Sequence, residues 1–138
     1  MENEFERLYN VELDAMAKIK NDELSWSEAY KPWYQAYNEK GRFFDILYRE
    51  YKESRENGNA EMNINQSLCQ EASEIAECLK ENGVKRFTFS SNWNGAVKEV
   101  WELQKAGYKM VGMTEVNDEM NLLTKERKKM PAFIFELA

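Results

Sequence analysis

The sequence contains no histidine, and only two cysteines and two prolines occur among its 138 residues. Histidine is the commonest general base and the commonest zinc ligand, so its absence removes Ser-His and Cys-His nucleophile pairs. Cys69 and Cys78 are expected on opposite faces of one helix, roughly 13 Å apart along its axis. They can neither bridge each other nor complete a four-ligand zinc site. We therefore expect no metal, no cofactor and no catalytic residue, and we favour a protein that is not an enzyme.

The sequence also lacks any apolar run near the ~18 residues that a bilayer-spanning helix needs. Neither of the glycine-rich phosphate-binding patterns, G-x-x-x-x-G-K-[ST] and G-x-G-x-x-G, is present. The first residues, Met-Glu-Asn-Glu, are acidic and match neither a signal peptide nor a basic targeting arm. We therefore expect a cytoplasmic protein without membrane contact. Hydrophobic residues make up 43% of the chain and aromatic residues 13%, which is enough for a packed core.

What the sequence does contain is a helix-glycine-strand pattern written twice, 24 positions apart. The first copy spans residues 79–89 and has its glycine at Gly83, and the second spans residues 103–113 and has Gly107. Glycine takes the left-handed conformation that often ends a helix. Because a helix over about 93–106 connects the two strands, we expect the strands to be adjacent and parallel.

A third strand is expected at residues 132–137, antiparallel beside the strand at 108–116. Pro131 marks its start. The helix that connects the first two strands should cover the sheet, which places Trp101 and Phe89 in the core. The C-terminal half is therefore expected to be an α-β-α-β-β unit with a small three-stranded mixed sheet.

The N-terminal half has helical periodicity instead. Asn3 and Ser25 carry capping signals for two helices. Pro32 is expected either to kink the second helix or to restart it. Two rows of residues spaced seven apart form an apolar stripe: Tyr30, Tyr37, Phe44 and Tyr51, and Trp26, Trp33, Lys40 and Leu47.

The fold class that these patterns predict is α/β (α+β). Residues 1–58 should form a helical N-terminal region, and residues 66–138 should form the α/β C-terminal unit, together making one compact domain. Residues 54–65 are rich in Asn, Gly and charge, and they are the best candidate linker between the two regions.

Acidic residues dominate the charge, giving a formal net charge of −6 at pH 7. They concentrate in residues 1–30 and on one helix face over residues 71–81. Such surfaces attract basic partners and repel nucleic acid, although either stretch could be no more than a solvated helix face. The candidate partner-binding residues are Glu2, Glu4, Glu6, Glu12, Asp14, Glu71, Glu74, Glu77 and Glu81.

A second candidate site is the corner where the first repeated strand meets the connecting helix. Strand carboxyl ends and helix N-termini are the usual ligand positions in open α/β sheets. Small polar residues there could hold an anion or a carbonyl group, and the tryptophan could stack on a ring. The alternative is an ordinary helix cap with a buried tryptophan. The candidate ligand-binding residues are Ser90, Ser91, Asn92, Trp93, Asn94 and Gly95.

The C-terminal third carries Asn94 and Ala96 before a helix, then Gly107-Tyr108, Gly112 and a last strand at 133–137. In this order it resembles the C-terminal part of the GNAT-type N-acetyltransferase fold. The resemblance implies a small-ligand or acyl-CoA-binding domain with partial acetyltransferase-like topology.

The whole chain is short, acidic and histidine-free, with 7 methionines and 7 tyrosines. In type, it resembles accessory proteins of Gram-positive phages and plasmids, among them anti-CRISPR and anti-restriction inhibitors. The resemblance implies a non-enzymatic inhibitory protein that engages a basic nucleic-acid-handling protein, such as a nuclease effector, without contacting nucleic acid directly. Direct binding of the nuclease and mimicry of DNA both remain open.

Overall fold

The computed structural model describes residues 2–65, 72–90, 96–120, 123–124 and 126–138. The described helices are α1 (Glu4–Lys20), α2 (Trp26–Tyr37), α3 (Arg42–Glu56), α4 (Ala72–Glu81) and α5 (Ala96–Lys105). The described strands are β1 (Asn63–Ile64), β2 (Arg86–Phe89), β3 (Tyr108–Met120) and β4 (Arg127–Leu137). The α+β class predicted from the sequence is confirmed, because a helical N-terminal half precedes a mixed sheet.

The described strands form one sheet of four, in the order β1-β2-β4-β3. β4 pairs antiparallel with both β2 and β3, so β2 and β3 run parallel to each other but are not neighbours. The expected adjacency and the count of three strands are therefore wrong, while the antiparallel pairing of β4 with β3 is confirmed. The apolar run Ala132-Phe133-Ile134-Phe135 suits a central strand. β3 carries exposed Lys109 and Glu115, which suit an edge.

Residues 54–65 belong to the fold and do not act as a linker. α3 extends into this segment, and β1 pairs in parallel with β2. Met62 and Ile64 are buried. The Asn59 side chain accepts a hydrogen bond from the Asn117 N–H at 2.8 Å and donates one to the Asn117 carbonyl at 3.0 Å. The segment therefore ties β3 to the rest of the molecule.

The helix caps of the N-terminal half are confirmed. The Asn3 side chain accepts from the Glu6 N–H at 2.9 Å, and Ser25 Oγ accepts from the Glu28 N–H at 3.4 Å. α2 continues through Pro32 and does not restart there. The aromatic stripe is interrupted at Gly41, which lies between α2 and α3 and has a left-handed φ of 86°.

One core cluster contains residues from both halves of the chain. Phe5 of α1 stacks on Phe44 of α3 with ring centroids 4.6 Å apart, and Phe87 of β2 stacks on Phe135 of β4 at 5.5 Å. Phe89 belongs to the same cluster, as the sequence predicts. The sheet and the helices are therefore packed around a shared aromatic interior.

Trp101 is not in the core, contrary to expectation, since 61% of its surface is exposed. α5 turns Leu103 and Glu99 inward instead, with 0% and 4% exposed. Residues two apart are rotated by about 200° around the helix axis, so their side chains lie on nearly opposite faces. With Leu103 facing the core, Trp101 must face outward.

Candidate functional site

The structure brings the two acidic stretches together at one surface. The backbone N–H of Glu4, at the start of α1, donates a 3.0 Å hydrogen bond to the carbonyl of Asn82, just after α4. Glu2, Glu4 and Glu81 line one depression there, and Glu81 also lines a neighbouring groove. We call this continuous surface the acidic ridge, and its residues are Glu2, Glu4, Glu74, Glu77 and Glu81.

Cations neutralise only part of the acidic ridge. Glu4 contacts Arg7 at 2.8 Å and Lys40 at 3.2 Å, and the hydrogen bond from Arg7 is the main cause that lowers the pKa of Glu4 to about 2. Glu77 lies 3.5 Å from Lys80. Within the described part of the chain, the exposed carboxylates of Glu74 and Glu81 form no ion pair. On α4, the negative charge of the ridge that no described ion pair balances therefore lies at Glu74 and Glu81, both of which are exposed.

The groove beside the ridge runs between α4 and the start of α3. Lys40, Arg42 and Phe43 line it on the α3 side, opposite the glutamates of α4. Cys78 also lines it, but burial, with a smaller contribution from Glu81, raises the pKa of its thiol. A raised pKa keeps the thiol protonated, so Cys78 lacks the thiolate character of a nucleophile.

Glu12 lies away from the ridge, inside the helical region. It is 7% exposed, and its carboxylate accepts hydrogen bonds from the Tyr48 hydroxyl at 2.6 Å and from Lys52 at 2.9 Å. The Trp33 indole N–H in turn donates to the Tyr48 oxygen at 3.1 Å. Glu12 therefore joins three helices and offers no surface to a partner.

The remaining acidic candidates fall in different places. Glu6 is half-buried and accepts from the Asn3 amide at 3.1 Å, completing the cap of α1. Asp14 is exposed, pairs with Lys18 at 3.1 Å, and lines a groove between α1 and α2. Glu71 lies outside the described residues. The structure thus brings together five of the nine candidates.

The alternative ligand corner is described only at Ser90, because residues 91–95 lie outside the described part. Ser90 is 2% exposed, and its hydroxyl accepts a 2.9 Å hydrogen bond from the Asn63 amide. The Asn63 side-chain oxygen accepts from Thr88 at 2.8 Å. Ser90 therefore helps to hold β1 against β2. Sequence reasoning missed Asn63 because it lies in the segment expected to be a linker.

The described residues contain no group of three or more His, Cys, Asp and Glu side chains placed to hold a metal ion. None of the described helices combines the length and the apolar content that a bilayer-spanning helix needs.

Comparison with known families matches residues 46–137, two thirds of the chain, to a domain of unknown function, DUF7698. The chain belongs to this family. The DUF7698 match begins inside α3 and continues through β4, so it includes Glu74, Glu77 and Glu81 but not Glu2 or Glu4. Neither the curated proteins nor the solved structures contain a significant match to the chain.

Proposed function

We propose that this DUF7698 protein is a non-enzymatic binding protein that engages a basic nucleic-acid-handling protein, such as a nuclease effector, through the acidic ridge. The hydrogen bond between Glu4 and Asn82 is the observation that carries the proposal. It sets the acidic residues at the start of α1 beside those of α4. Their charges then act on one partner surface instead of on two separate ones.

Electrostatics supports a role in association. Charges of one sign gathered on one surface steer an oppositely charged partner and raise its association rate. The chain as a whole carries a formal net charge of −6, which adds to this attraction and opposes binding of nucleic acid itself. The partner that best fits the ridge is therefore a protein with a basic, nucleic-acid-binding surface.

Inhibition is the proposed consequence of this binding, in the manner of an anti-CRISPR or anti-restriction protein. A protein seated on the basic surface of a nuclease blocks the path of its substrate. Whether the ridge mimics a phosphate backbone or contacts another basic patch is decided by competition. A mimic is displaced by short duplex DNA, whereas a direct binder elsewhere on the nuclease is not.

The test uses a panel of purified basic nuclease effectors, with a basic protein that does not handle nucleic acid as the control. Association rates are measured on a biosensor at about 50 and 300 mM salt, where the Debye length shrinks from about 14 to 6 Å. We expect at least one effector to bind, with an association rate that falls about tenfold across this range. Failure of every effector to bind at low salt would overturn the proposal.

Two matched variants separate the ridge from overall charge. Glu74→Lys with Glu77→Lys should slow association and relieve inhibition of nuclease cleavage. Glu23→Lys with Glu53→Lys makes the same change in net charge at exposed positions outside the ridge, and it should have a much smaller effect. Both pairs should leave the melting temperature nearly unchanged, because surface substitutions usually alter stability by under about 0.5 kcal/mol. Equal effects of the two pairs would show that only net charge matters.

A further inference from the structure

We draw no further inference here: the strongest candidate, the exposed apolar flank of α5 at Val97 and Trp101, carries nothing because nothing in the described part of the structure shows what covers it.

Discussion

The phenol hydroxyl of Tyr108 donates a 2.6 Å hydrogen bond to the backbone carbonyl of Val84. Each of these residues directly follows the glycine that ends its helix, Gly83 at φ 80° and Gly107 at φ 104°. Both residues are 1% exposed. The bond therefore links the two copies of the repeated helix-glycine-strand pattern across the buried interior.

Tyr108→Phe should reduce the free energy of unfolding by about 1–3 kcal/mol, because the Val84 carbonyl is left buried and unpaired. Urea denaturation measures the loss. Tyr34→Phe is the control, since Tyr34 is 44% exposed, and it should cost under about 0.5 kcal/mol. Equal costs for the two variants would mean that the Tyr108 hydroxyl contributes nothing.

The neighbouring residues Trp101 and Leu103 should respond oppositely to truncation. Leu103→Ala removes a fully buried side chain and should cost about 2–5 kcal/mol. Trp101→Ala should cost under about 0.5 kcal/mol, because the Trp101 side chain is largely exposed. Urea melts of the two variants at low micromolar concentration compare them. A large loss in Trp101→Ala alone would contradict the orientation of α5.

Glu12→Ala should destabilise the helical region by about 2–3 kcal/mol, because the Tyr48 hydroxyl and Lys52 lose their shared acceptor. Asp14→Ala removes an exposed ion pair with Lys18 and should cost under about 1 kcal/mol. The double variant Glu12→Ala with Tyr48→Phe should cost less than the sum of its two single changes. Full additivity would show that the two side chains do not interact.

The ionised carboxylate of Glu4 should stabilise the folded state, and this stabilisation should decrease at acid pH. Its pKa is about 2 when folded and near 4.3 in an unfolded chain, so its carboxylate favours the folded state above pH 4.3. That contribution is lost as pH falls towards 2. Because Glu4 is a third exposed, it should remain below about 1 kcal/mol.

Unfolding of the wild type and of Glu4→Gln, followed between pH 2 and pH 7, tests this dependence. The wild type should be the more stable of the two at pH 7, and the difference should disappear near pH 2. A difference that persists at pH 2 would rule out the Glu4 carboxylate as its source.

Local features of the fold could be predicted from the sequence, whereas the strand order could not. Gly83, Gly107, Asn3 and Ser25 act through bonds within a few residues, so the local sequence determines them. The helix between β2 and β3 sets their common direction but not their separation. The position of β4 between β2 and β3 depends on contacts between residues far apart in the chain, such as the stacking of Phe87 on Phe135.

The acidic ridge shows a similar division. The spacing of Glu74, Glu77 and Glu81 predicts one helix face, and all three are exposed on it. Glu12 has the same charge and lies in the acidic stretch 1–30, yet it is buried. The spacing of Phe5, Leu8, Glu12 and Ala15 along the core face of α1 is the signal that separates it from the surface acids.

The central position of β4 affects how the protein is completed during translation. β2 and β3 are synthesised before the strand that must separate them. At about 5–20 residues per second, β2 waits a few seconds for its antiparallel neighbour. During that interval Phe87 lacks its stacking partner Phe135, and the edges of β2 and β3 that pair with β4 are unpaired. Because unpaired strand edges favour aggregation, the interval before β4 is made is the stage at which a chaperone would help this fold most.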